Sequence, residues 1–265
     1  MRWTEEQLET FGAEGVLAVP GLFSAEEIAR LNAELPRLCE LTGPEILHER
    51  KSDAVRSVVS PHRVSDVYAA MSCHPRLVAP AQQYLGGPVY LHQFKINTKA
   101  AHDGEIWHWH QDYRTWYEDD GMLEPNIINA VVFLDEVNEF NGPMMFIPGS
   151  HREGRLDATQ DFERVPGYGR LSADAVGSPY TNDVIDALIG TNGLVAPKGP
   201  AGTGLFFHGC TVHGSAPNMS PWSRNMLFAS LNHIDNTLKR PTRPEFLALQ
   251  DYTPLEAGAD DCLGV

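Results

Sequence analysis

Basic residues are scarce in this sequence. Twenty Lys and Arg stand against 35 Asp and Glu in 265 residues, a formal net charge of −15, and only five of the 20 are Lys. Nucleic acid and anionic membranes are bound mainly through basic surfaces, so neither is an expected partner. Cysteine is scarce as well: Cys39, Cys73, Cys210 and Cys262 are scattered with no CxxC pair. That usage fits small core thiols in a reducing compartment better than a disulfide framework. No run of about 18 apolar residues occurs, which excludes a membrane-spanning helix. The opening stretch MRWTEEQLETFGAEG lacks the apolar centre of a signal peptide, and the expected setting is cytoplasmic. The remainder is ordinary globular material: 42% hydrophobic and 21% charged supports a packed core, not a disordered chain.

The pattern of apolar residues changes along the chain. Residues 1–86 read as a mainly helical flank. Thr4 with Gln7 and Ser24 with Glu27 form capping-box signatures. Ile28, Leu31, Leu35 and Leu38 give the second helix one buried face, with Pro36 expected to kink or shorten it. Val64, Val67, Tyr68 and Met71 mark a third helix, and Pro75 and Pro80 are expected to break the chain after it. Beyond Gly86-Gly87, segments 88–97, 127–137, 143–148, 203–213 and 225–233 are short, rich in Val, Ile and Phe, and bounded by turn residues. They predict strands of a sandwich or barrel. No linker separates the two parts, so one domain over 1–265 is expected, with a β core from 87–151 and 201–240. Residues 152–200 are polar and broken by Gly and Pro, with one short helix near Asn182–Leu188, and read as a candidate lid.

The segment Trp107-His108-Trp109-His110-Gln111-Asp112-Tyr113 carries the chemistry. Side chains at i and i+2 of a strand point the same way, so His110 and Asp112 can share a face. A distant His on a neighbouring strand would complete a ligand set, and His213 fits. Two His and one carboxylate on one face of an octahedral ion select non-haem Fe(II) oxygenases. Spacing leaves rivals open: His108 lies on the same face as His110, and His208 could replace His213. Cys210 could ligate a metal but reads more simply as a buried apolar residue. Arg224, 11 residues after His213, could hold the far carboxylate of a dicarboxylate co-substrate with its planar fork, and Ser215 could add a donor. Asp119-Asp120-Gly121 reads as a solvated turn, and Trp107 and Trp109 as packing on the far side of the ligand strand.

Several stretches together resemble the phytanoyl-CoA dioxygenase superfamily: YLHQFKINTKA at 90–100, WHWHQDYRTWYEDDGM at 107–122, NEFNGPMMFIPGSH at 138–151, HGSAPNMSPWSR at 213–224 and RPEF at 243–246. Within it the sequence is most similar to bacterial hydroxylases of free amino acids and compatible solutes. The resemblance covers nearly the whole chain and is weakest in 152–200. It implies a mainly β fold with flanking helices: a double-stranded β-helix, or jelly roll, with N-terminal α-helices. It implies Fe(II), 2-oxoglutarate and O₂, and C–H hydroxylation coupled to oxidative decarboxylation of 2-oxoglutarate. By the same resemblance His110, Asp112 and His213 take the iron-ligand positions. Arg224 and Ser215 take the 2-oxoglutarate distal carboxylate, with Asn97 and Lys95 on the strand beside it. Trp116 and Arg243 match substrate-facing positions, as do Arg56 and His62 in a segment that closes over the substrate. Gln93 shares a face with Lys95 and Asn97 and either lines the pocket or satisfies buried backbone.

The carboxylate Asp112 favours hydroxylation over halogenation, because related halogenases have a small residue there. No Lys/Arg cluster awaits the phosphates of a coenzyme A thioester. A small-molecule substrate, a free amino acid, is therefore expected, its carboxylate on Arg243 or Arg56 and its ammonium near His62, Glu118 or Asp119. Alternatives are a carrier-tethered aminoacyl group, an ectoine-like solute, a non-oxidative metal-dependent enzyme on the same barrel, or a non-catalytic binding protein.

Overall fold

The structure is a computed structural model that describes residues 2–160 and 177–264. Two sheets face each other. The larger has seven strands, all antiparallel: β1 (Val16–Val19), β2 (Ile46–His48), β3 (Val55–Val59), β4 (Val89–Asn97), β6 (Ile127–Phe133), β8 (Gly204–His208) and β10 (Met226–His233), in the order β1-β8-β6-β10-β4-β3-β2. The smaller runs β5-β9-β7, from β5 (Trp107–His110), β7 (Met144–Phe146) and β9 (His213–Ser215). Two facing antiparallel sheets with helices on one outer side match the mainly β architecture expected from the sequence.

Strand alternation sorts the side chains of the large sheet. Ile128, Ala130 and Val132 of β6, and Leu227, Ala229 and Leu231 of β10, join one apolar cluster with the N-terminal helices. Those helices are α1 (Glu5–Glu14), α2 (Ala25–Cys39), α3 (Asp66–Ser72) and α4 (Pro75–Leu85). Both expected capping boxes are present, Thr4 with Gln7 and Ser24 with Glu27. The opposite residues face inward. Val131, Phe133, Leu205, Phe207, Met226 and Phe228 pack against Met144 and Phe146 of the small sheet. That fills one half of the interior with hydrocarbon. Asn97, Lys95 and Gln93 of β4, with Ser230 and Asn129, follow the same alternation and make the other half polar. Two further α-helices among the described residues are α5 (Asp112–Asp120) and α6 (Asn182–Asn192).

Two sequence expectations change, and the structure adds detail to two others. The flank also carries the short strands β1, β2 and β3, which extend the large sheet; strands of three to five residues are too brief to register a period. Pro75 opens α4 instead of breaking the chain, since the first helical position needs no N–H, and Pro80 lies within the same helix. Pro36 lies within α2, three residues before its end at Cys39. Segment 203–213 divides into β8 and β9, one in each sheet. The proposed lid falls partly outside the described residues. Within them, α6 runs from Asn182 as expected, and its Ile185 packs with Ile147, Tyr180 and Val212. Among the described residues no helix is long and apolar enough to cross a membrane.

Candidate active site

The Trp107–Tyr113 segment is not one strand. β5 ends at His110, Gln111 keeps an extended backbone (φ −112°, ψ 131°), and Asp112 is the first residue of α5. One extended residue suffices to bring His110 and Asp112 to the same side before the chain coils. Gln111 holds that turn. Its Nε2 donates to the carbonyls of Gly154 (2.8 Å) and Cys210 (2.7 Å), while its Oε1 accepts from the Leu156 amide (2.8 Å) and the Tyr180 hydroxyl (3.2 Å). The buried amide is thereby fully used. Asp112 sits where the free N–H groups of a helix start favour negative charge.

His213 opens β9 and pairs with His110 across the small sheet, with ring centroids 4.2 Å apart. Ligand atoms of His110, Asp112 and His213 all lie within 4.8 Å of one another. His110 Nδ1 is 2.7 Å from the His108 carbonyl, and His213 Nδ1 is 2.9 Å from the Thr211 carbonyl. A carbonyl only accepts, so each Nδ1 carries the proton and each Nε2 keeps a lone pair. Burial, aided by His110, lowers the His213 pKa to about 4. Burial opposes ionisation of Asp112, but His213, His110 and Lys95 outweigh it and hold the carboxyl below its usual range. A neutral imidazole and an ionised carboxylate are the forms that bind metal. The rivals fall away. His108 contributes a backbone carbonyl, and His208 faces His151 at 5.2 Å with Nδ1 accepting from the Cys210 amide. Burial pushes the Cys210 thiol up to about 12, as befits an inert core residue.

A cavity extends from the His110–Asp112–His213 cluster to Ser215 and Arg224, with Lys95 and Asn97 along the β4 wall. Among the described residues Ser215 Oγ and Arg224 Nε are buried without a hydrogen-bond partner, and Arg224 Nη1 meets the Met226 sulfur at 3.4 Å. Arg224 makes no ion pair among the described residues. Burial, with Arg56 nearby, lowers its pKa to about 9, so it remains cationic at neutral pH. Buried polar groups are ordinarily satisfied and buried charges paired. An unmatched guanidinium and hydroxyl, across one cavity from an N,N,O donor set, fit a molecule that chelates a metal at one end and carries a carboxylate at the other. Asn97 Oδ1 accepts from Ser57 Oγ at 2.8 Å.

A second cavity shares Lys95, Trp107 and Asp112 with the first and adds Gln93, Thr115, Trp116, Arg243 and the apolar Leu47, Val59 and Leu247. Gln93 lines this space and also donates to the Leu247 carbonyl at 2.5 Å. Arg243 is held by Asp120 through Nε (2.8 Å) and Nη2 (2.5 Å). His92, the extra residue at a bulge in β4, places Nε2 3.4 Å from the same carboxylate. Asp120 is therefore no solvated turn residue: it is fully buried, with its carboxyl held low by Arg243 against the effect of burial. Trp107 likewise faces the cavities instead of the far side of its strand, and Arg56 stacks on it at 3.9 Å.

Arg56 and His62 line neither cavity. Arg56 is engaged by Glu49 (2.6 Å) and the Ile106 carbonyl (3.0 Å), and His62 packs on Phe94. A buried carboxylate from the neighbouring strand pair, Glu49, holds the Arg56 guanidinium in this arrangement. Glu118 pairs with Arg114 at 2.7 Å.

Residues 11–226 match the phytanoyl-CoA dioxygenase (PhyH) family. The chain is 36% identical over 247 residues to L-proline trans-4-hydroxylase of Streptomyces griseoviridis, covering 92% of each protein. It is 35% identical to ectoine dioxygenase of Nocardia farcinica, covering 94% of this chain and 86% of that one. The crystal structure of EctD from S. alaskensis with 2-oxoglutarate and 5-hydroxyectoine superimposes with a TM-score of 0.82 at 30% identity, over 96% of this chain and 86% of that one. The chain belongs to the phytanoyl-CoA dioxygenase (PhyH) family and is, with that family, an Fe(II)- and 2-oxoglutarate-dependent dioxygenase.

Proposed function

We propose that this dioxygenase hydroxylates a free L-amino acid or closely related small zwitterion. In this reading His110, Asp112 and His213 hold Fe(II) through two Nε2 atoms and one carboxylate oxygen. Arg224 and Ser215 grip the distal carboxylate of 2-oxoglutarate, with Lys95 and Asn97 along its flank. The observation that carries the reading is the pair of unmatched buried donors, Arg224 Nε and Ser215 Oγ, in the cavity that the donor cluster closes. Bound there, the metal with 2-oxoglutarate and O₂ supplies the oxidising power for hydroxylation, with succinate and CO₂ as co-products.

The substrate end is read from the second cavity. Arg243, oriented by Asp120, offers a cation to a carboxylate, and Gln93 offers an amide. Trp116 forms a flat wall, while Leu47, Val59 and Leu247 keep water from the reacting carbon. Among the described residues the cavity linings hold no basic cluster for a phosphorylated carrier. A small carboxylate-bearing ring or chain matches this composition. The resemblance to both a proline hydroxylase and ectoine dioxygenases makes L-proline and ectoine the first substrates to compare.

The test is incubation with Fe(II), 2-oxoglutarate and O₂ against a panel of free L-amino acids and ectoine, read by mass for the gain of one oxygen and by succinate release. A hydroxylated amino acid with matching succinate is expected. Hydroxylation of ectoine alone would move the assignment to the cyclic solute. Succinate release without a hydroxylated product from any panel member would reject the small-zwitterion reading.

A further inference from the structure

A polar row crosses the inner face of the large sheet and ends on the carboxylate of the donor cluster. Asn129 of β6 is 1% exposed and stands opposite Ser230 of β10. Its Nδ2 donates to Asp112 Oδ2 at 2.9 Å, and its Oδ1 accepts from Ser230 Oγ at 2.6 Å. Its neighbours on the same strand and the same face, such as Val131, belong to the apolar interior. A buried amide among hydrocarbon is costly unless satisfied, and these two bonds satisfy it.

The two partners also fix which way the amide points. The Asp112 carboxylate only accepts, so it requires the NH₂ end. The Ser230 hydroxyl, able to donate, takes the oxygen end. A flipped amide would set its oxygen against a carboxylate oxygen, and nothing in the row favours that.

We propose that Asn129, locked by Ser230, is a positioning residue that limits Asp112 to one-oxygen binding of the metal; this rests on the reading of His110, Asp112 and His213 as the iron ligands. A carboxylate can bind a metal through one oxygen or both. Asn129 donates to Oδ2, which lies 3.9 Å from His213 Nε2, and so competes with a metal for that oxygen's lone pairs; Oδ1, 3.4 Å from His110 Nε2, would then be the ligand atom. Two imidazoles and one oxygen would fill three positions of a six-coordinate ion. The other three then suffice for a two-point chelating keto acid and one further small ligand. A carboxylate released to bind through both oxygens would take one of those three. Asn129 touches neither substrate nor co-substrate in this scheme and acts through Asp112.

The experiment uses the full-length protein with Co(II) in place of Fe(II), because Co(II) absorption intensity reports coordination number. Wild type, Asn129→Leu, Ser230→Ala and His110→Ala are titrated anaerobically with Co(II) and then with 2-oxoglutarate, with circular dichroism as the check on folding. Asn129→Leu is expected to bind Co(II) about 10- to 100-fold more weakly, as for other outer partners of metal ligands, and to change the visible spectrum of the 2-oxoglutarate complex. Ser230→Ala is expected to shift both in the same direction by less. Folded Asn129→Leu with wild-type affinity and spectrum would overturn the proposal. Should Asn129→Leu not fold, Ser230→Ala decides: a changed spectrum supports the coupling, and an unchanged one overturns it. Failure of the ligand reading looks different, since wild type would then bind no Co(II) or His110→Ala would bind it equally well.

Discussion

Arg243 and Asp120 meet face to face, with two parallel hydrogen bonds of 2.8 and 2.5 Å in a wholly buried setting. The pair fixes the plane of the guanidinium at the edge of the second cavity. Asp120→Asn keeps the shape but removes the charge and one acceptor. It is expected to raise the substrate KM by about tenfold or more, the scale of a lost charge-assisted bond, while leaving the apparent affinity for 2-oxoglutarate within twofold. Arg243→Ala is the harsher change, because it strands a buried carboxylate at a cost of about 3–5 kcal/mol. Its melting temperature should fall well below that of Asp120→Asn. Steady-state kinetics on the hydroxylated substrate, beside thermal melts of both variants, check the pair.

Arg224 presents the opposite case, a buried cation with no anion from the described residues. Arg224→Met is expected to weaken 2-oxoglutarate binding by about 100-fold, since a charge-assisted bond is worth up to about 3 kcal/mol. The same substitution removes an unpaired buried charge, so the ligand-free protein should melt no lower than wild type, and should melt higher. Ser215→Ala should cost about fivefold in 2-oxoglutarate affinity, in line with roughly 1 kcal/mol for a neutral hydrogen bond. Calorimetric titration under anaerobic conditions, paired with melts with and without 2-oxoglutarate, separates the two effects. Unchanged 2-oxoglutarate affinity in Arg224→Met would remove this residue from the cofactor site.

Removal of metal is expected to abolish turnover and to lower stability together. The cluster joins β5, β9 and the start of α5, so a bound ion ties three elements at one point. At free metal 100 times Kd the folded state gains about 2.7 kcal/mol by mass action. Chelation should therefore lower the melting temperature, and added Fe(II) or Co(II) should restore it. His110→Ala should lose both the activity and the metal-dependent shift, whereas His108→Ala and His208→Ala should keep both.

Much of this site was legible because its groups are local in sequence or of unmistakable type. His110 and Asp112 sit two residues apart, and alternation survives through Gln111 even though the strand does not continue. Arg224 was legible as a cation beside a strand that begins at Met226. Asp120 was misread because an Asp-Asp-Gly sequence is commonly a solvated turn, and its burial depends on Arg243, which lies 123 residues away. The Glu49 partner of Arg56 is hidden for a similar reason, since it comes from across a strand pair that the sequence pattern does not reveal. The row through Asn129 and Ser230 follows from the register of β6 against β10. Composition carries no trace of register, and a single Asn in an apolar strand is the only hint that the sequence offers.

Acid should unfold the protein through histidines held neutral by burial. His208 has its pKa lowered to about 4, chiefly by burial with His151 adding, against about 6.5 in an unfolded chain. The sign follows from proton uptake: between those values the unfolded chain binds a proton that the folded one refuses. The contribution is thus fully present above pH 6.5 and is lost as the pH falls toward 4. His62 and His213 are lowered to about 4 for the same leading reason and act in the same direction. His208→Asn keeps an acceptor for the Cys210 amide, which lies 3.1 Å from the imidazole Nδ1, but cannot take up a proton. Urea unfolding of the metal-free protein at half-unit steps from pH 7 to pH 4 should show a shallower loss of stability in His208→Asn than in wild type. The two curves should part below pH 6.5 and differ by up to about 3 kcal/mol near pH 4. Parallel curves over the whole interval would mean that His208 takes up its proton as readily in the folded protein as in the unfolded chain.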